Sequence, residues 1–404
     1  MRVVLVAGRA TGGIAGHVAA LASGLADAGV DVAVATGDAT ADRWEELGAG
    51  AGPGDVHAPV PPGVPVLRLW PSPRRPLAAL RRARALRRLL GGADVVHAHG
   101  HQAGLLALLA ARGLRGPRRA RGRVRAAGPA VVVTWHNAVL AAPGGAAQRA
   151  LEVAERLQAR RADLLTGASG DLVARARALG AGRVEVTPVG VPDRAADGGR
   201  GRGGPVPAPP PAGLEDLPPD ALVVLTVSRL APQKDLPTLV RAAARLGTGR
   251  GARGRGAPVT WCVVGDGDPA VEARVRRLVA ELDAPVRLLG ARPDVPELLA
   301  RADVFALSST WEARSLAVQE AMAAGLPVVA TRTGGLPDLL EGVGALVPVG
   351  DDRALADAVA ALLADPLARE RAGRAAREAF TALPGPQDVL RGWIDRYARL
   401  AADR

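Results

Sequence analysis

The 404 residues are enough for two or three domains with buried cores, which excludes a disulfide-stapled miniprotein or a single small binding module. Hydrophobic residues make up 48% but aromatics only 2%, so the cores are built from Ala, Val and Leu, and 50 Gly with 33 Pro predict long loops. The net charge of +12 lies entirely in the first 195 residues, which hold 26 basic and 14 acidic side chains against 26 and 26 in the remainder; with one lysine among 52 basic residues, the arginines read mainly as the codon bias of a high-GC genome. Few rings are available to stack bases and no helix-turn-helix or zinc-finger pattern occurs, so nucleic acid is not the expected partner.

The chain opens Met1-Arg-Val-Val-Leu-Val-Ala7, apolar and basic as a signal peptide is, but the run stops at Gly8-Arg9, too early for a secretory core. It reads as a first buried parallel strand, and no stretch of about 18 apolar residues predicts a membrane span. Further strands are predicted at Val30–Ala35, Val64–Leu69, Asp94–His97, Val131–Thr134, Leu164–Thr166 and Val184–Pro188, alternating with helical patterns as βαβ units do. Pro76–Leu90 carries Arg81, Arg82, Arg84, Arg87 and Arg88 beside Leu77, Leu80, Leu86 and Leu90; such a helix either buries its leucines and solvates its arginines or rests on anionic lipid. His97-Ala-His-Gly-His101 offers three imidazoles, but Gly100 ends the strand, so alternation does not bring all three to one face as metal ligands. Arg115–Pro129 reads as a mobile Gly/Arg loop.

Residues 196–219, dense in Gly, Pro and Arg, read as a linker. Strands resume at Leu222–Ser228, Val259–Val264, Val286–Leu289, Val304–Leu307, Pro327–Ala330 and Ala345–Val347, with a second mobile loop at Gly247–Pro258. Cys262 sits in an apolar strand and has no partner for an internal disulfide, which fits a reducing compartment. The predicted architecture is α/β: Rossmann-like domains over 1–195 and 220–384, then a helical segment, 385–404, bearing Leu390, Trp393, Ile394 and Tyr397.

Arg229 follows the strand Leu222–Ser228, and Lys234 lies five residues on. Ligands of α/β sheets bind beyond the carboxyl ends of strands, where two cations suit a diphosphate; alone, the pair reads equally well as solvated loop charges. Glu312 follows Val304–Leu307, and Glu320 lies eight residues later, two turns into a helix predicted over Ser315–Ala324 and ended by Gly325-Leu-Pro327. Both carboxylates can line one extended ligand, with the amides of Arg314, Ser315 and Leu316 as an anion site; the plain alternative is a surface helix with incidental acids.

These residues, with Val264-Gly-Asp-Gly267, Leu289-Gly290, Ala302-Asp-Val-Phe-Ala-Leu-Ser-Ser309, Glu320-Ala-Met-Ala-Ala-Gly-Leu-Pro-Val-Val-Ala330 and Gly334-Gly335, resemble glycosyltransferase family 4, retaining sugar-nucleotide-dependent enzymes of the GT-B fold. The resemblance covers nearly all of 222–350. In the first half, Thr11-Gly-Gly-Ile-Ala-Gly-His17 resembles the family's Gly-rich loop, Asp94-Val-Val-His-Ala-His-Gly100 its second signature, and Thr134-Trp-His-Asn137 the loop bearing an acceptor-side histidine; Asp163–Ser169 and Pro188-Val-Gly-Val191 match later motifs. Two positions depart. Glu312-Ala-Arg-Ser315 stands where many members have Glu-Gly-Phe-Gly or Glu-Gly-Phe-Pro, which sets Arg314 beside the donor sugar, and Val189 replaces an asparagine.

The resemblance implies two Rossmann-like domains with parallel sheets facing across a cleft, the first binding acceptor and the second donor, and a C-terminal helix packing back on the first. It implies that Arg229 and Lys234 neutralise the diphosphate in place of a metal, that Glu320 holds ribose hydroxyls and Glu312 sugar hydroxyls, and that Gly290 lies on the donor side with Arg314, Ser315 and Leu316. Gly12 and Gly13 would leave backbone amides open to the β-phosphate or acceptor, and His136 would sit near the anomeric centre. No cofactor is implied. The co-substrate is a UDP- or GDP-sugar, and the acceptor a small molecule, glycan or lipid-linked glycan, for an enzyme of the cytoplasm that the 76–90 helix could bring to the inner membrane face.

Rivals fare less well. Gly8–Gly16 opens like a nicotinamide-binding turn, but hydride-transfer enzymes of that type need Tyr-x-x-x-Lys, and the only such residues are Tyr397 and Lys234. A Walker loop fails because Gln233 precedes Lys234. A lysine-linked pyridoxal enzyme is not excluded by counting, though nothing else supports it. A sugar-nucleotide-binding GT-B protein without catalysis is the second functional reading.

Overall fold

The computed structural model describes residues 1–8, 13–47, 60–69, 76–112, 117–120, 123–126, 128–137, 146–187, 211–218, 220–247 and 258–404. The chain divides into two compact units: Met1–Pro192 with Pro384–Arg404, and Asp193–Leu383.

In the first unit, β1 (Arg2–Ala7), β2 (Asp31–Thr36), β3 (Val66–Arg68), β4 (Val95–His99), β7 (Ala130–Trp135), β8 (Leu164–Gly167) and β9 (Val184–Val186) form a parallel sheet in the order β3-β2-β1-β4-β7-β8-β9. The sequence explains the central position of β1, β4 and β7: all or nearly all their residues are buried, as strands covered on both faces must be. Helices α1 (Gly13–Asp27), α2 (Asp38–Leu47), α3 (Pro76–Leu90), α4 (His101–Arg112), α5 (Ala146–Arg161) and α6 (Gly170–Ala178) alternate with these strands. In α3, Leu86 and Leu90 are fully buried while Arg81, Arg84, Arg87 and Arg88 are exposed, and Arg82 pairs with Asp38; the side chains of Leu77 and Leu80 lie outside the described set.

The second unit repeats the scheme. Strands β10 (Leu222–Val227), β11 (Val259–Val264), β12 (Val286–Gly290), β13 (Val304–Leu307), β14 (Val328–Thr331) and β15 (Ala345–Val347) pair in parallel in the order β12-β11-β10-β13-β14-β15. The helices are α7 (Leu236–Leu246), α8 (Pro269–Glu281), α9 (Val295–Arg301), α10 (Leu316–Ala323), α11 (Leu336–Leu340), α12 (Asp352–Ala364) and α13 (Pro366–Thr381). Asp268, Asp351 and Asp365 accept backbone N–H bonds at the starts of α8, α12 and α13, the ordinary use of a short acceptor side chain at a helix start. In both sheets the chain builds outward one way, then returns to the other side of its first strand, which opens a crevice at the carboxyl ends of β1/β4 and of β10/β13.

One device recurs. Asp94, Asp163 and Asp303 each stand one residue before a strand and accept an amide from the neighbouring one: Arg2 N to Asp94 Oδ2 at 2.7 Å, Val131 N to Asp163 Oδ2 at 2.7 Å, and Val223 N to Asp303 Oδ2 at 2.9 Å.

Three readings of the sequence change. Within Arg115–Pro129, taken as a mobile loop, β5 (Pro117–Ala120) and β6 (Arg123–Ala126) form an antiparallel hairpin; an arginine-rich stretch carries no apolar alternation to announce it. At the end of 196–219, taken as linker, Leu214 is buried in the second core with Leu217 against it, and Arg287 holds Asp216 through two bonds of 2.6 and 2.8 Å, so 211–218 belong to the second unit; 196–210 and 219 lie outside the described residues. Strand β4 continues past His97 to His99. Of Gly247–Pro258, residues 248–257 also lie outside the described set.

The C-terminal helix α14 (Pro386–Ala402) belongs to the first unit, where Trp393, Tyr397 and Leu400 join the core made by β1, β2 and α1. Trp393 is fully buried, so Trp393→Ala should destabilise the first unit by about 3–5 kcal/mol and leave the second unchanged. Calorimetry that shows one shifted and one unshifted transition meets this expectation.

Candidate functional site

The donor-side candidates lie at the carboxyl end of β10 and β13. After β10 the backbone is pressed against the loop following β11. A Cβ on Gly265, at φ +136°, would stand 2.0 Å from the Ser228 carbonyl oxygen, so only glycine fits. Leu230 N donates to Asp266 O and Asp268 N to Leu230 O, both at 2.8 Å, which fixes the loop and leaves Arg229 exposed upon it. Gly290 ends β12, and its carbonyl accepts from Gly265 N at 2.8 Å.

Pro232–Lys234 makes a single 3₁₀ turn bonded to the loop after β13. Gln233 Nε2 donates to Trp311 O at 2.6 Å, Thr310 N to Gln233 O at 2.8 Å, and Ser308 Oγ to Lys234 O at 2.9 Å. Lys234 Nζ forms an ion pair with Glu312 Oε1, which also accepts from Ser309 Oγ at 2.7 Å. The two side chains are only 14% and 9% exposed, so each charge relies on the other rather than on water. Gly335 N in turn donates to Glu312 O at 2.8 Å, beside Gly334 at φ +55°, where a Cβ would come within 1.8 Å of that oxygen.

Ser315 caps α10, its Oγ accepting from Val318 N at 3.4 Å, and Leu316 opens the first turn, whose amides a helix leaves unpaired. Glu320, in the next turn, has no side-chain partner among the described residues, and burial pushes its carboxyl up to about 7. Arg314 is half-buried, its Nε shielded and without a hydrogen bond among the described residues; burial pushes the guanidinium below its ordinary range, against the pull of Asp338. The structure thus joins Lys234 directly to Glu312 and brings Arg229, Gly290, Arg314, Ser315, Leu316 and Glu320 to the same sheet end without a hydrogen bond to that pair. Ser309 was missed from sequence, although its place just beyond β13 was the available signal.

In the first unit, Gly12 lies outside the described residues and Gly13 begins α1. His136 follows β7 and is 6% exposed. Its Nε2 shares a hydrogen bond of 3.1 Å with His99 Nδ1, and the His17 ring centroid lies 5.6 Å from that of His99 and 5.8 Å from that of His136. Burial pushes His17 down to about 4 and His136 to about 3, and holds His97 and His99 well below the ordinary imidazole range. His97 is bonded on both sides, to Tyr397 OH and to Thr134 Oγ1, each at 2.6 Å. His101 leaves the group, donating from Nε2 to Asn137 O at 2.9 Å. Among the described residues no set of three side chains is placed to hold a metal ion.

Residues 12–192 match the model of the glycosyl transferase 4-like domain, and residues 221–365 that of glycosyl transferases group 1. The chain belongs to this glycosyltransferase family. A D-inositol 3-phosphate glycosyltransferase of Corynebacterium efficiens is 40% identical over 169 residues, 40% of this chain and 39% of that protein. A GDP-mannose-dependent alpha-(1-6)-phosphatidylinositol monomannoside mannosyltransferase of Mycolicibacterium smegmatis is 35% identical over 202 residues, 47% of this chain and 48% of the other. The chain therefore aligns with less than half the length of these relatives. Over its whole length the fold matches HepE of Anabaena in complex with UDP, with a TM-score of 0.76 at 20% identity, covering 99% of this chain and 100% of that one. The fold is GT-B.

The two units of this family member should respond oppositely to pH. In the first, an unfolded chain takes up protons on its histidines below about 6.5 that the buried imidazoles refuse, so stability falls as pH drops below 6.5. In the second, folded Glu320 keeps its proton to about 7 whereas the unfolded chain loses it near 4.5, so stability falls as pH rises between those values. Glu320→Gln should therefore raise the second unit's melting temperature at pH 8 and change it little at pH 4.5; equal gains at both would contradict the assignment.

Proposed function

We propose that the protein is a retaining, metal-independent glycosyltransferase that moves a sugar from a nucleoside diphosphate sugar to an acceptor hydroxyl. The observation that carries this reading is the coexistence, at one sheet end, of a bonded charge pair, Lys234 with Glu312, and a half-buried carboxylate, Glu320, without a side-chain partner among the described residues. An unpartnered carboxylate in such a place is costly unless a ligand donates to it, and vicinal ribose hydroxyls would do so. Binding would draw the Glu320 proton off below pH 7. Exposed Arg229, Lys234 and the first-turn amides of α10 supply the positive potential that a diphosphate needs as the bond to the sugar breaks.

The acceptor oxygen attacks the anomeric carbon from the face that the phosphate leaves. One C–O bond forms as the other breaks, and the hydroxyl proton passes to the departing phosphate oxygen, so no side-chain nucleophile is required. UDP in the HepE complex and the GDP-mannose named for the mycobacterial relative support a UDP- or GDP-sugar, and the relatives' names support a polyol or glycolipid acceptor. For a lipid-linked acceptor, the exposed arginines of α3 would meet anionic headgroups.

Arg229→Ala and Lys234→Ala should each reduce turnover by about 100- to 1000-fold, the worth of one lost charge stabiliser; exposed Arg229 should be lost without change in melting temperature, whereas Lys234→Ala should lower it by leaving Glu312 unpaired. Near-normal turnover in both would defeat the donor-site assignment. Activity should survive EDTA, and its loss with rescue by Mg²⁺ or Mn²⁺ would overturn metal independence. Titration of UDP and GDP into Glu320→Gln should show affinity reduced by roughly 10- to 100-fold, as for a missing charged hydrogen bond.

A further inference from the structure

His99 stands at the centre of the first unit's imidazoles and has no part in the mechanism above. It is 3% exposed, and its ring centroid lies 4.0 Å from His97, 5.4 Å from His136 and 5.6 Å from His17. Its Nδ1 is 3.1 Å from His136 Nε2, while its own Nε2 is buried without a hydrogen-bond partner among the described residues. Besides these rings, Tyr397 and Thr134 are bonded to His97, the Trp393 ring lies 4.2 Å from it, and charge on Arg396 or His101 disfavours protonation of the cluster.

A neutral imidazole carries one N–H, so the contact between the two rings holds a single proton and allows two arrangements. If His136 donates from Nε2, the N–H of His99 must sit on its buried Nε2, where none of the described residues accepts it. If His99 donates from Nδ1, its Nε2 is a bare lone pair, and the N–H of His136 is on Nδ1. An orphaned buried N–H is rarer and costlier than an under-used acceptor, which selects the second arrangement. Burial holds both rings neutral and removes the doubly protonated case. His136 Nδ1 has no partner among the described residues.

We infer that His99 is a positioning residue that fixes His136 as its Nδ1–H tautomer, so that His136 offers a hydrogen-bond donor, not a base, to the oxygen it meets. The catalytic half of this statement rests on the glycosyltransferase reading; the tautomer does not. A donor at His136 also agrees with a reaction whose proton leaves on the phosphate.

The test uses the full chain labelled with ¹⁵N-histidine, with long-range ¹H–¹⁵N spectra at pH 7.5 and the His136 signals assigned by their loss in His136→Gln. Wild type should show His136 protonated at Nδ1. His99→Asn, whose amide can donate from nearly the same place, should keep that tautomer and most of the turnover. His99→Leu should release His136 to the Nε2–H form and lower kcat roughly tenfold, the worth of one hydrogen bond, with donor KM unchanged. A wild-type His136 protonated mainly at Nε2, or His99→Asn matching His99→Leu, overturns the inference. The wild-type spectrum decides the matter even if His99→Leu fails to fold, and it does so whether or not transferase activity is found.

Discussion

Parallel strands slide unless something fixes their register, and among the described residues an aspartate does so three times. Asp94, Asp163 and Asp303 stand at the amino end of β4, β8 and β13 and take an amide from β1, β7 and β10. Side chains alternate along a strand, so a slip of one residue would turn His97 and His99 to the opposite face of the sheet, and would carry the Ser308–Glu312 loop away from the turn that bears Lys234. The chemistry at the carboxyl ends of these strands is set by bonds at their amino ends.

The two crevices differ in kind. That of the second unit handles formal charge: Lys234 and Glu312 neutralise each other, Arg229 is in water, and Glu320 is held near its titration point. That of the first contains neutral imidazoles in contact, backed by hydroxyls from Thr134, Thr166 and Tyr397. In the proposed reaction a charged diphosphate suits the former and an uncharged hydroxyl the latter.

Much of the fold was legible because buried parallel strands are written as continuous apolar runs between glycines. All thirteen strands of the two large sheets fall on runs read from the sequence. Helix α10 was legible through Ser315 before it and Gly325-Leu-Pro327 after it. The Arg-rich hairpin β5–β6 was not, since its residues show no period. Leu214 was hidden in a Pro- and Gly-rich stretch whose composition outweighed two leucines. Glu312 and Lys234 were singled out separately, but their bond joins residues 78 apart, and the His97–Tyr397 bond spans 300; no local spacing encodes either. For the histidines, the local run His97–His101 does not contain the group: the fold sends His101 to Asn137 and brings His17 from α1 and His136 from the end of β7 beside His99.

Lys234 differs from every other basic side chain in its reactivity. Arginine serves at every other basic position, so Lys234 is the sole side-chain amine in the chain, and it is largely shielded by Glu312. A guanidinium does not take an acyl group under mild conditions; a deprotonated amine does. Apart from the amino terminus, an amine-directed label therefore has one address, at the proposed donor site, and its slow uptake measures how often the Lys234–Glu312 pair opens. Any ligand that seals that pair will register as protection at a single residue, in a protein that needs no engineering to report it.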